Sequence, residues 1–212
     1  MPNKNGLFIS LEGIDGAGKS TQSKALKSFL EEAGHDVVQT REPGGSPGAE
    51  EIRSLLVEGE PGRWSAETEI LLFTAARRDH LERTIRPHLE AGRVVITDRF
   101  ADSTRVYQGA VRADLSETVD QLHALMIGQE PDLTLIIDMD PEEALRRGLA
   151  RDTKEARFEK FGLEFQQALR AGFRKLAAQN PKRCKLINGD QAPDAIAADI
   201  AQVVMGAINA DG

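Results

Sequence analysis

Residues Gly13-Ile14-Asp15-Gly16-Ala17-Gly18-Lys19-Ser20 carry the spacing G-x-x-x-x-G-K-[ST]. Average composition would produce such a string in on the order of one per cent of chains this size. The context is the one the chemistry requires, because an apolar run ends at Leu11 and a helical pattern opens at Lys19. The glycines let the backbone curl until several N–H groups point at one anion, and the dipole of the following helix adds to that field. Lys19 is placed to reach the β- and γ-phosphates of a nucleoside triphosphate, and the Ser20 hydroxyl to ligate Mg²⁺. The expected nucleotide-binding stretch, an ATP site if the triphosphate is ATP, is Gly13, Ile14, Asp15, Gly16, Ala17, Gly18, Lys19, Ser20 and Thr21. Alone, this loop specifies a nucleoside triphosphate; it does not separate a kinase from a GTPase switch or a motor ATPase. The guanine-reading sequence N-K-x-D does not occur, which disfavours the GTPase.

A second constellation is Val94-Val-Ile-Thr-Asp98-Arg99-Phe100, an apolar strand ending in Asp-Arg. Ligands of an open parallel sheet gather beyond the carboxyl ends of its strands, which puts Asp98 and Arg99 beside the phosphate loop. Asp98 is expected to hold Mg²⁺ through water or to take a hydrogen bond from Ser20. Arg99 is expected to grip a phosphate with two donors and to count among the catalytic residues with Lys19. A surface ion pair is the plain alternative, and the neighbouring loop weighs against it.

These residues need elements to hold them. Short apolar runs at Leu7–Leu11, Val37–Thr40, Val94–Thr97, Leu133–Ile137 and Lys185–Ile187 alternate with helical patterns. That rhythm predicts βα units, a parallel sheet and helices on both faces. Helices are expected over Lys19–Ala33, stopped by Gly34, and over Ala66 to about Leu89, with Ser65 as N-cap and Pro87 marking a weakening end. Others are expected over Ser116–Gln129, Phe158–Ala178 and Pro193–Met205. Asp140-Pro141-Glu142-Glu143 reads as an N-cap followed by a first turn. The Gly/Pro-rich stretches Glu42–Gly48 and Glu58–Gly62 read as loops of one domain.

Composition sets the outer bounds. The 212 residues are 40% hydrophobic and 29% charged, ordinary for a single globular domain. The formal net charge of −7 makes the chain a poor general binder of nucleic acid or anionic membrane. No apolar run approaches the roughly 18 residues of a membrane span, and the N-terminus lacks a secretory apolar region. Cys184 is the single cysteine, so no internal disulfide forms. A cytoplasmic location is expected.

Gly13–Thr21, Arg41-Glu-Pro-Gly-Gly45, Leu71-Leu-Phe73-Thr-Ala-Ala-Arg77, Asp98-Arg99-Phe100 and Ser103-Thr104-Arg-Val-Tyr107-Gln108-Gly109 occur in the order seen in bacterial thymidylate kinases, which the chain resembles from about Phe8 to about Gly189. The resemblance implies a three-layer P-loop α/β fold of nucleoside monophosphate kinase type, with a five-stranded parallel sheet flanked by helices. A single domain would span residues 1–212, with a small lid at about 146–160. It implies transfer of the γ-phosphoryl group of ATP to dTMP, making dTDP for dTTP synthesis, with Mg²⁺ and a homodimer.

It also implies roles. Phe73 and Arg77 stand at i, i+4, so they share a helix face roughly 6 Å apart. The ring would stack on thymine and the guanidinium reach its O4. Thr104 or Gln108 would read the base edge. Tyr107 would pack at C2′ and exclude a ribose hydroxyl. Asp15 would accept from the substrate 3′-hydroxyl, since a carboxylate so near phosphates is costly without a partner. Arg53, in preference to Arg41, would pair with the monophosphate, and Glu42 and Pro43 would shape the wall. Asn188-Gly189 would fit the adenine loop.

The acceptor oxygen is already anionic, so charge neutralisation rather than a general base is the requirement. Some family members place an arginine where this chain has Gly16. Here the cation must come from the basic segment Arg146, Arg147, Arg151, Lys154, Arg157, with Arg151 the expected transition-state arginine. Two other readings remain open at this stage. One is a kinase for another nucleoside monophosphate; the other is a non-catalytic P-loop switch, which would have no use for a second base site.

Overall fold

The computed structural model describes residues 6–58, 62–111, 115–149 and 162–210. Five parallel strands form one sheet: β1 (Phe8–Glu12), β2 (Val37–Arg41), β3 (Val94–Asp98), β4 (Leu133–Asp138) and β5 (Cys184–Asn188), in the order β2-β3-β1-β4-β5. β1 and β4 are buried almost along their whole length. Helices cover both faces, so a strand here needs apolar side chains on both sides of its pleat, and the runs read as continuous rather than alternating. In the β1–β3 register Phe8 lies beside Val95, and Ile9 beside Ile96. Phe8 and Val95 cluster with Leu81, Ile85 and Phe100. Ile9 and Ile96 belong to the larger cluster with Leu26, Leu30, Ile200 and Val204.

The helices are α1 (Lys19–Glu32), α2 (Pro47–Val57), α3 (Ala66–His80), α4 (Arg86–Glu90), α5 (Ala101–Val111), α6 (Ser116–Met126), α7 (Pro141–Leu149), α8 (Gly162–Gln179) and α9 (Pro193–Ala210). Helix α1 ends as expected: Gly34 has φ +89°, and the Gly34 and His35 N–H groups bond back to Glu31 and Leu30 carbonyls. The Ser65 hydroxyl accepts from the Thr68 N–H at 3.2 Å, and Asp140 Oδ1 accepts from the N–H groups of Glu142 and Glu143 at 3.0 and 3.2 Å.

The expected weakening at Pro87 is replaced by another solution. Between α3 and α4 the chain makes a π-helical turn, Leu81–Ile85, and then continues helical through Pro87 to Glu90. Proline lacks an N–H and its ring crowds the carbonyl four residues back. A wider turn just upstream accommodates that without ending the helix. Two ends also shift: α6 stops at Met126 and α9 runs on to Ala210. The expected start of α8 at Phe158 lies outside the described residues.

From β1 the chain crosses β3 to reach β2 at the edge; from β3 it crosses β1 to reach β4. Adjacent strands β1 and β3 therefore send their connections in opposite directions. A crevice opens at their carboxyl ends. The phosphate loop leaves β1 there and Asp98-Arg99 leaves β3 there.

Candidate active site

The phosphate loop closes onto α1 through Gly18, whose φ of +91° is a left-handed position that favours glycine. Lys19 turns back over the loop, its Nζ donating to the carbonyls of Gly13 at 3.1 Å and Ile14 at 2.9 Å. Burial, with the Arg99 charge next, pushes the Lys19 ammonium down to about 8 against the pull of Asp15, Asp98 and Glu12. Ser20 Oγ donates to Asp98 Oδ2 at 2.5 Å, joining the two motifs that the sequence carries 78 residues apart.

Arg99 is the hub. Its φ is +72°, the one left-handed non-glycine among the described residues. Its N–H donates to Leu11 O at 2.9 Å and its carbonyl accepts from Thr97 Oγ1 at 2.8 Å. Such a conformation persists only where its surroundings over-determine it. The guanidinium donates to Gly13 O (3.2 Å), Ser103 Oγ (2.8 Å), Asp15 Oδ1 (2.5 Å) and the Tyr107 hydroxyl oxygen (2.9 Å). The Tyr107 hydroxyl donates in turn to Asp15 Oδ2 at 2.7 Å. Burial favours protonated Asp15, but Arg99, Lys19 and that hydroxyl outweigh it and hold the carboxyl below its usual range.

Glu12, the last residue of β1, accepts from the Phe100 N–H at 2.7 Å and from the Ser103 hydroxyl at 2.5 Å. It pins the residue after Arg99 and the residue that receives its guanidinium. Burial first, then the charge of buried Asp102, pushes Glu12 up to about 7.

Beside this hub lies a cavity of about 160 Å³. Phe73 forms one wall, half-buried, and Arg77 stands one helical turn further on. The Arg77 guanidinium is buried, donating to Glu42 Oε2 at 2.8 Å and to Thr104 Oγ1 at 3.0 Å, and lies 5.2 Å from the Phe100 ring centre. Gln108 is 3% exposed; its Nε2 donates to Glu69 Oε2 at 3.5 Å, and its Oε1 has no hydrogen-bond partner among the described residues. A buried amide oxygen facing a cavity suits a ligand N–H. Pro43 and Arg53 complete the wall, with Arg53 Nη1 donating to Pro43 O at 2.5 Å. A second cleft of about 180 Å³ runs over Gly16, Gly18, Lys19, Ser20, Arg41 and Asp98. The two share Asp15, Glu42, Arg53 and Arg99, which mark where they join.

The structure thus brings together Asp15, Lys19, Ser20, Glu42, Pro43, Arg53, Phe73, Arg77, Asp98, Arg99, Thr104, Tyr107 and Gln108. Arg41 extends to Glu50 at 3.1 Å, while Arg146 and Arg147 pair with Glu143 on α7. Arg151, Lys154 and Arg157 lie outside the described residues. Glu12 and Phe100 were not singled out from the sequence as site residues. Their only signal is position: Glu12 is a lone charge between an apolar strand and a glycine loop, and Phe100 follows the Asp-Arg pair.

The donor set of Ser20 hydroxyl and Asp98 carboxylate fits Mg²⁺, a hard ion that takes one or two oxygen ligands from protein and the rest from phosphate and water.

The family model described as thymidylate kinase matches residues 11–200. A thymidylate kinase of Ruegeria pomeroyi is 65% identical over 204 residues, 96% of this chain and 97% of its own. One of a Jannaschia species is 69% identical over 198 residues, covering 93% and 95%. A solved thymidylate kinase from Ehrlichia chaffeensis matches with a TM-score of 0.78 at 35% identity, over 94% of this chain and 99% of that one.

Proposed function

The chain belongs to the thymidylate kinase family, phosphotransferases acting on dTMP, and on that premise we propose which of its residues bind and transfer. ATP lies in the cleft over Gly13–Thr21 and dTMP in the cavity walled by Phe73 and Arg77. Their phosphates meet at Asp15, Arg53 and Arg99. The observation that carries this reading is the junction itself: a partly buried guanidinium, Arg99, borders both clefts.

In this arrangement the residues have distinct tasks. Lys19 moves from the loop carbonyls to the donor's β- and γ-phosphates. Arg99, held by Asp15, Ser103 and Tyr107, cannot swing freely, so its charge is already in place when two anionic groups approach. Arg53, anchored on Pro43, steadies the acceptor phosphate. Phe73 stacks on the pyrimidine, Arg77 and Thr104 offer hydrogen bonds to its carbonyl side, and the Gln108 oxygen accepts from its N–H. Asp15 receives the sugar 3′-hydroxyl while Tyr107 fills the space where a 2′-hydroxyl would sit. No side chain has to remove a proton, because the attacking oxygen is already charged. Ser20 and Asp98 would hold Mg²⁺, which when bound neutralises phosphate charge. Arg151, on the proposed lid of about residues 146–160, supplies the remaining cation, and Asn188-Gly189 borders the adenine.

The enzyme is proposed to act in the cytoplasm on the nucleotide pool, as a homodimer. Leu71, Leu125 and Met126 on α3 and α6 are 59%, 78% and 44% exposed, an apolar face that supports pairing of two copies. The test of the functional reading is a substrate panel. With ATP and Mg²⁺, dTMP is expected to be phosphorylated with kcat/KM well above dUMP, UMP and dCMP. Preference for another monophosphate, or slow ATP hydrolysis with no acceptor, would refute it.

A further inference from the structure

His80 touches neither cleft, yet it is wholly buried and both ring nitrogens are engaged. Nδ1 lies 3.0 Å from Glu42 Oε1 and Nε2 lies 2.7 Å from Thr40 Oγ1. An ionised carboxylate only accepts, so Nδ1 carries the hydrogen; in a neutral ring Nε2 then accepts from the Thr40 hydroxyl. The other oxygen of Glu42 accepts from Arg77 Nε at 2.8 Å, and Arg77 Nη2 donates to Thr104 at 3.0 Å. One line of bonds therefore runs Thr40, His80, Glu42, Arg77, Thr104, from the edge strand through α3 to α5.

Geometry shows what the histidine adds. Glu42 follows β2, with its N–H fixed on Asp98 O at 2.9 Å, while Arg77 and His80 lie one turn apart on α3. Arg77 alone would leave the carboxylate free to turn about one bond. The imidazole holds the second oxygen and so fixes the plane of the carboxylate, which in turn fixes the guanidinium. The ring lies close against Gly45 on one side: a Cβ there would lie 2.4 Å from His80 Nε2.

We propose that His80 is a positioning residue for acceptor-base discrimination, locking Glu42 so that Arg77 presents its donors to a carbonyl of the acceptor pyrimidine. This rests on the reading of the Phe73–Arg77 cavity as the acceptor site. Aligned donors favour a C4 carbonyl and oppose a C4 amino group, so the histidine's effect falls on the choice between thymine and cytosine, not on ATP.

The test compares two amides. In His80→Asn the amide nitrogen takes the place of Nδ1 and can donate to Glu42; in His80→Gln it takes the place of Nε2 and reaches only Thr40. Kinetics are measured below both unfolding midpoints. His80→Gln is expected to raise KM for dTMP roughly 10- to 100-fold and to narrow the dTMP/dCMP ratio of kcat/KM to match, with KM for ATP within about twofold. His80→Asn is expected to stay within about threefold of wild type in all three. Equal losses in both variants, or a parallel rise in KM for ATP, would overturn the proposal. Should the glutamine variant not fold, Thr40→Val, which lines neither cleft, removes the partner of Nε2 and loosens the ring; a rise in KM for dTMP with KM for ATP unchanged is expected, and an unchanged dTMP/dCMP ratio would overturn the proposal. Wild-type protein that turns over no dTMP would remove the acceptor site and this role together; normal dTMP turnover with an unchanged dTMP/dCMP ratio in the folded variants removes the role alone.

Discussion

Glu12 at the end of β1 accepts a hydrogen from the Ser103 hydroxyl at 2.5 Å, across 91 residues of chain. The strand that feeds the phosphate loop is thereby tied to the helix that carries Thr104, Tyr107 and Gln108. The Glu12 carboxyl has a pH signature of its own, set by burial and the Asp102 charge, which raise it against the Arg99 charge and the Ser103 and Phe100 hydrogen bonds that lower it. The folded carboxyl sits at about 7 against an ordinary 4.5, so the native state holds this proton more tightly than the unfolded chain. Its stabilising contribution is complete below the unfolded value and is lost as pH rises through the folded one. The loss is on the order of 3 kcal/mol. Glu12→Gln carries no titrating group there, so its stability curve is expected to be flatter across this window. Denaturant unfolding of both proteins at about pH 5 and about pH 8 checks it; parallel curves would contradict the assignment.

Lys19 gives a binding signature instead. Burial and Arg99 bring it to about 8 from 10.5. A triphosphate laid against it favours the charged form. Between those two values ATP binding should take up protons, up to about one per site. Calorimetry at about pH 9 in buffers of different ionisation heat measures the uptake, which should vanish in Lys19→Met.

Gly16 faces α7. Its φ is +88° and a Cβ there would lie 1.9 Å from the Ala144 carbonyl oxygen. An arginine at this loop position, as some family members have, would need α7 to stand further off. Gly16→Ala is expected to cost about 2–4 kcal/mol in thermal unfolding, from left-handed strain plus overlap. A loss under about 0.5 kcal/mol would show that α7 yields easily.

Arg151→Ala should lower kcat roughly 10³-fold or more while leaving dTMP affinity nearly unchanged. Rapid-mixing turnover and equilibrium binding separate the two. Weakened dTMP binding with normal turnover would move the catalytic cation elsewhere.

What could be read from the sequence followed distance along the chain. The central strands β1, β3 and β4 were legible because they are buried on both faces, and the edge strands β2 and β5 because each keeps a short apolar run. The phosphate loop was legible because nine neighbouring residues, Gly13–Thr21, carry its geometry. The Asp140 cap is likewise local. By contrast, Glu12 acquires its role from Ser103 and Phe100, and His80 from Glu42, 38 residues away; a lone glutamate and a lone histidine carry no such mark. The π turn was hidden because Leu81 and Ile85 keep the helical spacing of apolar residues right through it. Helices α2 and α5 are absent from the expected pattern, since Pro47, Gly48 and Gly109 blur their periodicity.

The central claim is that the acceptor base occupies the cavity beside Phe73 while ATP occupies the cleft over Lys19. The measurement that bears on it most directly is the pair of Michaelis constants of Phe73→Ala. Loss of a stacking face in a partly buried site should raise KM for dTMP roughly 10- to 100-fold and leave KM for ATP within about twofold. An unchanged dTMP constant, or an ATP constant that rises in step with it, would contradict the account.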